Sequence, residues 1–374
     1  MNLDHIKVFF LATLILLVTS CGSDTGESTI GSENSIPEYQ LALIDSFGVE
    51  MGDSINMIGS IGDFCYSTDG SILILDNTSL KVRVIPYDGD AKIICNRGEG
   101  PGEFLYPLAL CAFDNNNFLV SDEMKQEVME FNSSGEYIGS FLSTSGYVPY
   151  SMFSVNSNTI VSDQLVFDME SEIPQYIYYV GGFHPSVADP LQVYCEMSWD
   201  WTSADFYRDI DLLDFTAGSS ERVYIASDVT DYRISVLYLD GLEIGEIIGS
   251  VDRIRKTPEQ IELEIEEFEE WAKQDQAYMG GYQPPEYKDL ISLAGIDPEG
   301  NLWIQRYGSE ISFNFDVWDE SNNLIFNVSF PRNVEMPDLE FHIDDHGILG
   351  ANTDSEEYPR IYSFVLDEEA IVRN

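Results

Sequence analysis

Two histidines near the end of the chain have a spacing that could hold a metal ion. His342 and His346 enclose Asp344 and Asp345 in the sequence FHIDDHG, whose polar centre is typical of a hairpin turn. On neighbouring strands of a hairpin, the two imidazoles would lie close enough to share a divalent cation. We therefore take His342 and His346 as candidate metal ligands, with a solvated turn as the alternative interpretation.

The chain also offers many oxygen ligands for a hard cation such as calcium. It contains 66 Asp and Glu residues, and proteins bind Ca²⁺ through carboxylate and carbonyl oxygens. The turn sequences STDGS and DPEGN, at positions 67–71 and 297–301, lack the alternating oxygen pattern of a calcium-binding loop. Calcium is thus the candidate cofactor, without a defined set of ligands. No nucleophile motif such as Gly-x-Ser-x-Gly is present, so no catalytic residue is predicted.

The stretch CNRGEGPGEFLYP, at positions 95–107, concentrates glycines between two apolar segments. It has neither the GxxxxGK[ST] spacing of a phosphate-binding loop nor the GxGxxG spacing of a dinucleotide-binding loop. The glycines are therefore predicted to let the backbone turn from one repeating unit into the next. The alternative is that Arg97 and Glu103, together with Glu99, contact a ligand.

Two stretches that we predict to be irregular concentrate aromatic residues. They are EMSWDWTSADFYRD at 196–209 and AYMGGYQPPEYKD at 277–289. Aromatic side chains on loops offer flat apolar faces with polar edges, which suits the binding of sugars or peptides. The candidate ligand-binding residues are Trp199, Trp201, Tyr207, Tyr278 and Tyr282. Packing between neighbouring elements is the alternative role.

One amphipathic helix is predicted in the sequence TPEQIELEIEEFEEWAKQDQ. Thr257 suits the N-cap, Pro258 the first helical position, and Gln260 the return bond of a capping box. Apolar residues recur on one side of this very acidic helix, at Ile261, Ile265, Phe268 and Ala272. We expect the helix to pack against a face of the domain, with a lid or a partner-docking helix as the alternative.

The elements that carry these residues repeat along the chain. Units of short strands, separated by Asp, Asn and Gly turns, begin near Phe64, Leu110, Met152, Glu221, Ile291 and Leu339. Four antiparallel strands per unit, recurring at such intervals, are typical of propeller blades. The last unit has three strands, and the segment Tyr39–Phe47 is expected to supply its outer strand and close the ring. The predicted fold class is all-β: a six-bladed β-propeller of four-stranded antiparallel blades over residues 38–374, with a helical insertion at about 257–289 between blades four and five.

These units resemble NHL-type repeats, and NRGEGPGEFLYP is similar to the Gly-rich connection between blades in the six-bladed, TolB-like propeller lipoproteins of Bacteroidota. The resemblance covers nearly the whole chain and is strongest in the first, second and fifth units. It implies a propeller fold and export, and it carries over no catalytic residue. Related lactonase-type propellers coordinate calcium in the central channel, so a metal-dependent lyase or lactonase is the rival interpretation.

The N-terminus supports export. An apolar run from Val8 to Val18 follows Lys7, which is too short for a membrane span and fits the centre of a signal peptide. The sequence VTSC at 18–21 resembles the lipobox of bacterial lipoproteins, which implies cleavage before Cys21 and lipid attachment to it. Residues 1–20 are thus predicted as a lipoprotein signal peptide and residues 21–37, rich in Gly and Ser, as a flexible tether. Gly22 favours the outer membrane, with the periplasmic or surface orientation left open.

The composition limits the kinds of partner. The formal net charge is −48, from 66 acidic and 18 basic residues, so the surface repels nucleic acids and anionic lipid headgroups. With 44% hydrophobic and 13% aromatic residues, the chain can build a large core. We predict a lipid-anchored, extracytoplasmic module that binds an envelope protein, a glycan or a peptide, and we favour binding over catalysis.

Overall fold

Short β-strands, connected by turns of Asp, Asn and Gly, make up most of the described chain. The computed structural model describes residues 36–49, 55–113, 116–142, 148–184, 187, 190–203, 205–275, 282–333, 336, 338–353 and 358–367. The first strand of the described residues is β1 (Glu38–Phe47), whose strand partners come from the far end of the sequence.

Sheet 1 is a four-stranded antiparallel sheet that follows β1. It contains β2 (Ile61–Tyr66), β3 (Ile72–Asp76), β4 (Lys81–Ile85) and β5 (Lys92–Ile94). A short connection then pairs β6 (Asn96–Arg97) in parallel with β7 (Glu103–Phe104).

Three more four-stranded antiparallel sheets follow in chain order. Sheet 2 contains β8 (Pro107–Phe113), β9 (Asn117–Asp122), β10 (Glu127–Phe131) and β11 (Tyr137–Leu142). Sheet 3 contains β12 (Met152–Asn156), β13 (Thr159–Asp168), β14 (Gln175–Phe183) and β15 (Gln192–Asp200), and helix α1 (Asp205–Asp211) comes after it. Sheet 4 contains β16 (Asp214–Ala217), β17 (Arg222–Ala226), β18 (Arg233–Tyr238) and β19 (Glu243–Ile248).

Helix α2 (Pro258–Asp275) separates sheet 4 from the last strands of the chain. These strands are β20 (Ile291–Ile296), β21 (Leu302–Arg306), β22 (Ser312–Trp318), β23 (Leu324–Pro331), β24 (Glu340–Asp344), β25 (Gly347–Asn352) and β26 (Arg360–Asp367). Together with β1 they form a closed eight-stranded sheet in the order β1-β23-β22-β21-β20-β24-β25-β26.

The N-terminal strand closes this last sheet by pairing on both of its sides. It runs antiparallel to β26, from Gln40 opposite Asp367 to Phe47 opposite Ile361. Its first residues, from Glu38, run parallel to β23. The expected pairing of an N-terminal strand with the end of the chain is therefore observed. The described residues form a mostly β, propeller-like arrangement of four blades and a closed sheet.

The hydrophobic core lies between the faces of neighbouring sheets. Leu75 and Val82 of sheet 1 pack in one cluster with Phe118 and Met129 of sheet 2 and with Phe104 of the connection, and all five are fully buried. Nearly continuous apolar strands such as ILILD (β3) produce this arrangement because both faces of each sheet are covered.

The Gly-rich connection is held closed by its own groups. Gly98 N donates to the Phe104 carbonyl, and Gly100 N donates to Glu103 Oε2 at 2.8 Å. A Cβ at Gly98 would lie 2.0 Å from the same carboxylate, and Gly102 has a φ of +73°. Glycine is therefore required at position 102, where the turn is left-handed and a Cβ would lie 2.7 Å from Tyr137 Cβ.

The predicted helix is confirmed, including its start. Gln260 N donates to Thr257 Oγ1 at 3.3 Å, and Thr257 N donates to Gln260 Oε1 at 3.0 Å, which is a complete capping box. Ala272 is buried on the predicted apolar side. In the described part of the chain, neither helix is both long and apolar enough to cross a membrane.

The prediction of an irregular stretch at 196–209 is wrong. Trp199 lies in the outer strand β15, and Tyr207 lies in helix α1. The strand alternates half-buried and exposed side chains, and Phe206 anchors the helix by burying its ring against Trp199 and Tyr207.

We predict that Gly295→Ala strongly destabilises the domain. Gly295 has a φ of +132° and faces β24, where a Cβ would lie 1.9 Å from the Ile343 carbonyl oxygen. We expect the free energy of unfolding in urea to fall by roughly 3 kcal/mol. Gly139→Ala is the matched control, because its added Cβ meets no atom within 4 Å. Equal urea midpoints for the two variants would contradict the described contact between β20 and β24.

Candidate functional site

A cavity of about 1320 Å³ lies where the first strands of several sheets meet helices α1 and α2. Its wall combines aromatic rings with carboxyl groups, and we call it the acidic cavity. The carboxylates that line it are Asp63, Asp163, Asp211, Asp214, Asp289, Asp338 and Glu340. Among the described residues of its lining, His342 is the one basic side chain.

Two of these carboxylates also join neighbouring sheets. Asp63 Oδ2 accepts a hydrogen bond from Leu110 N at 2.7 Å, which links the first strand of sheet 1 to the first strand of sheet 2. Asp214 Oδ2 accepts one from Leu293 N at 2.7 Å, which links β16 to β20. The backbone N–H groups hold both carboxylates in fixed positions at the cavity wall.

Asp163 holds the chain that enters sheet 3. Its Oδ1 accepts hydrogen bonds from Tyr150 N and Ser151 N at 2.9 and 2.8 Å, and its Oδ2 accepts one from the Tyr178 hydroxyl at 3.2 Å. Asp122 plays the same part in sheet 2, where it accepts from the backbone ahead of β8. Of the two, Asp163 lines the acidic cavity.

Burial makes these carboxyl groups easy to protonate. It raises the pKa of Asp63 to about 7, although bonds from Leu110 N and Phe64 N oppose the shift. Burial likewise raises the pKa values of Asp163 and Asp214 to about 6 against their backbone hydrogen bonds. The pKa of Asp211 rises to about 6 through burial and the nearby charge of Asp289. The site can therefore exchange protons near neutral pH.

Strand β24 carries three polar side chains on the face turned to the cavities. Glu340, His342 and Asp344 are spaced by two residues, so they point the same way. Glu340 lines the acidic cavity, Asp344 lines a second cavity of about 260 Å³, and His342 lines both. Burial disfavours the imidazolium of His342, but the hydrogen bond to Asp344 and the charges of Asp344, Asp63 and Glu340 outweigh it and raise the pKa of His342.

The two candidate metal ligands are not opposite each other, which corrects their expected placement. His342 pairs with Leu349 across the hairpin, and the turn lies between Asp344 and Gly347. His346 is therefore a residue of the turn itself, where its ring contacts Tyr66. Within the described ranges, no group of three or more His, Cys, Asp or Glu side chains is arranged to hold a metal ion.

The structure gives the aromatic candidates different surroundings. Tyr207 lines the acidic cavity, together with Trp271 of α2, and their rings meet edge to face at 5.4 Å. Trp199 Nε1 donates to Asp209 at 2.9 Å, and the ring of Tyr282 stacks on Phe268 at 4.0 Å, so both residues connect elements.

The remaining candidates lie away from this cavity or outside the described residues. Trp201 is 42% exposed and does not line the acidic cavity. Arg97 is exposed on β6, and Glu103 accepts a hydrogen bond from Gly100 N within the Gly-rich connection. Neither residue lines the acidic cavity. Tyr278 and Cys21 lie outside the described residues.

Several cavity residues were not among the sequence candidates. Gln305 and Tyr307 follow each other along one face of the wall, and Ser292 lies opposite Gln305 on β20. One signal in the sequence marks part of the site: the pair Asp-Phe occurs in the first strand of sheets 1 and 4, at Asp63 and Asp214.

Comparisons with known proteins give the fold. No protein-family model matches this sequence, and no curated protein is similar to it in sequence. In structure it is similar to a protein of Bacteroides fragilis NCTC 9343 described as exported, with 11% identity, a TM-score of 0.53, and coverage of 88% of this chain and 99% of that chain. It is also similar to a DUF4221 family member from Bacteroides vulgatus ATCC 8482, with 10% identity, a TM-score of 0.48, and coverage of 88% and 99%. A gluconolactonase from Xanthomonas campestris matches with 8% identity, a TM-score of 0.46, and coverage of 87% and 99%. At these identities, the similarity shows a β-propeller-like fold alone.

We predict that stability falls as the pH rises from 5 to 8. The pKa values of Asp63, Asp163 and Asp214 lie above their ordinary value of 3.8, so the folded chain holds extra protons in this range. Their contribution to the free energy of unfolding is complete below pH 3.8, the ordinary pKa of Asp, and it is lost as the pH rises through 6 to 7. The raised pKa of His342 changes the stability in the same direction. Thermal unfolding should show a melting temperature lower by roughly 5 °C at pH 8 than at pH 5.

The variant Asp214→Asn should flatten this pH dependence. The amide can still accept from Leu293 N and donate to the Ser292 hydroxyl, but it takes up no proton. Asp168→Asn, at an exposed carboxylate whose pKa is lowered by Ser171, should leave the slope unchanged. A melting temperature that rises between pH 5 and 8, or an unchanged slope in Asp214→Asn, would contradict the prediction.

Proposed function

We propose that this chain is an exported, lipid-anchored, six-bladed β-propeller that binds a ligand non-covalently in the acidic cavity. The observation that carries the proposal is the cavity itself, with a volume of about 1320 Å³ and a wall of fixed polar groups among aromatic rings. Sites for small ligands in proteins have this character.

The strand pairings support a count of six blades. In the closed eight-stranded sheet, β20–β23 form one antiparallel run of four, and β24–β26 with β1 form another. One parallel pair, Gly295 with Ile343, joins β20 to β24. The first strands contact one another in the cyclic order β2, β8, β12, β16, β20, β24 and back to β2. We interpret the two antiparallel runs as two further blades.

The fixed carboxylates support binding rather than covalent catalysis. Asp63, Asp163 and Asp214 all accept hydrogen bonds from backbone N–H groups, which hold them in place as part of the wall. Such groups are pre-organised hydrogen-bond acceptors for a ligand and lose little conformational entropy when it binds. An envelope protein segment, a glycan or a peptide are the proposed ligands.

Export and the lipid anchor are proposed from the sequence. The apolar run at 8–18 and the sequence VTSC at 18–21 support a lipoprotein signal. The similar protein from Bacteroides fragilis is described as exported, which agrees with this proposal. The Gly22 that follows Cys21 supports the outer membrane as the location.

We predict that Trp271→Ala removes ligand binding, whereas Trp201→Ala does not. The two indoles are equally exposed, at 43% and 42%, but only Trp271 lines the acidic cavity. A thermal-shift screen with sugars and short peptides should find a ligand that raises the melting temperature of the wild type and of Trp201→Ala alike. The same ligand should give no shift in Trp271→Ala.

Other outcomes of this screen would contradict the proposal. Loss of the shift in Trp201→Ala alone would place the site elsewhere. Stabilisation by Ca²⁺ or Zn²⁺, reversed by a chelator, would support the metal-dependent lyase or lactonase instead. No shift with any sugar or peptide would reject a small-ligand site.

A further inference from the structure

A buried amide donor in the wall of the acidic cavity lacks a partner. Gln305 of β21 is 2% exposed and lines the cavity, and its Nε2 makes no hydrogen bond to any described residue. A buried donor without a partner destabilises a protein by roughly 1–3 kcal/mol. A ligand oxygen in the cavity would supply the missing acceptor.

This donor lies beside the cavity carboxylates. Ser292 is directly opposite Gln305 in the register of β20 and β21, and the Ser292 hydroxyl bonds Asp214. Tyr307 is two residues beyond Gln305 and also bonds Ser292. Glu340 is close enough to Asp214 and Asp63 for its charge to raise the pKa of both. Residues of sheet 4 and of the closed sheet therefore lie next to each other in this part of the cavity wall.

The wall carries more acidic than basic groups, with seven carboxylates and His342 among its described residues. Nearby basic groups already have carboxylate partners: Arg332 pairs with Asp338 of the wall at 3.3 Å, and Lys256 pairs with Glu264 at 2.6 Å. In the part of the chain that the structure describes, the Glu340 carboxylate has no hydrogen-bond partner. A cation in the cavity would therefore find a carboxylate that accepts no hydrogen bond from the protein.

We propose that the acidic cavity binds a primary ammonium group with an oxygen acceptor next to it, the ammonium lying beside Asp214 and Glu340 and the oxygen accepting from Gln305 Nε2. This inference rests on the proposed function and names its ligand class. An ammonium group is compact and carries three N–H donors, so it can donate to more than one acceptor in an acidic wall. Amino sugars and free peptide amino termini both present this chemistry.

The test is titration calorimetry with four probes on the purified protein. Chitobiose and N,N′-diacetylchitobiose compare a sugar that carries amines with its neutral form. Trialanine with a free or an acetylated amino terminus compares a peptide amine with its neutral form. We expect one amine to bind at least about tenfold more tightly than its acetylated form, because acetylation removes the charge. The sugar and peptide pairs show which source supplies the ammonium group.

Three variants locate the contacts. Glu340→Gln should weaken binding of the amine about tenfold and leave binding of its acetylated form unchanged, because the substitution removes a charge and changes the shape of the side chain little. Glu243→Gln makes the same charge change at an exposed position on β19 and should have no effect. Gln305→Met should weaken binding while its melting temperature stays equal or rises, because it removes the unpaired donor.

Proton release gives an independent readout. The groups that face the ammonium site are Asp63, Asp163, Asp211, Asp214, Asp289, Asp338, Glu340, His342 and Tyr307, with Arg332 and Lys256 nearby. Because several of these carboxyls hold protons near neutral pH, a bound cation should expel protons, and the affinity should fall as the pH drops from 7.5 to 5. Titrations in two buffers of different ionisation enthalpy measure this release.

The outcomes separate this inference from the proposed function. Equal affinities for amine and acetylated probes, no proton release, or no binding of any of the four probes would overturn the ammonium site. A neutral ligand found in the Trp271 and Trp201 screen would still leave the cavity as a binding site. An amine that binds equally well to Glu340→Gln would also overturn the inference.

Discussion

The structure depends on hydrogen bonds that backbone N–H groups on one sheet donate to aspartate carboxylates on the neighbouring sheet. Asp63 accepts from Leu110 N, Asp214 accepts from Leu293 N, and Asp344 accepts from Tyr66 N at 3.3 Å. The first strands of neighbouring sheets lie side by side without an extended backbone ladder, so their N–H groups need other acceptors. A short carboxylate fills this role and keeps the sheets in register.

The same bonds give the cavity its chemistry. Asp63 and Asp214 reach from one first strand to the next where these strands converge, and both therefore lie in the wall of the acidic cavity. Stabilising the sheet contacts therefore concentrates acidic groups in a partly dry space, where burial favours their protonated forms. Fold and site are coupled through these residues, and a substitution at Asp63 or Asp214 affects both.

Local sequence patterns predicted most of the elements but only the edge of the site. The Thr257, Pro258 and Gln260 pattern placed the start of α2, and the repeated turns placed most strands, because these signals act over a few residues. Helix α1 was missed since a helix of two turns has little propensity of its own and depends on the packing of Phe206. Of the aromatic candidates named from the sequence, Tyr207 does line the cavity.

The acidic wall could not be predicted in the same way. Asp63, Asp214, Gln305 and Glu340 are far apart in the sequence, and only the three-dimensional contacts between sheets bring them together. Among 66 acidic residues, none stands out by type alone. The placement of the two histidines differs from the expectation for a related reason. The turn residues are Asp345 and His346 rather than Asp344 and Asp345, and local composition does not reveal a shift of one residue.

The position of β1 has a consequence for how the chain folds. This strand pairs with β26 and β23, more than 280 residues further along the sequence, as in the pair Glu38 with Asn327. The last sheet therefore closes only after β26 has been synthesised. The entropy lost in closing this long loop is lost late in folding. Until then, the edges of β23 and β26 stay unpaired and open to association with other chains. Folding speed and aggregation during synthesis should thus depend on how soon the two ends meet.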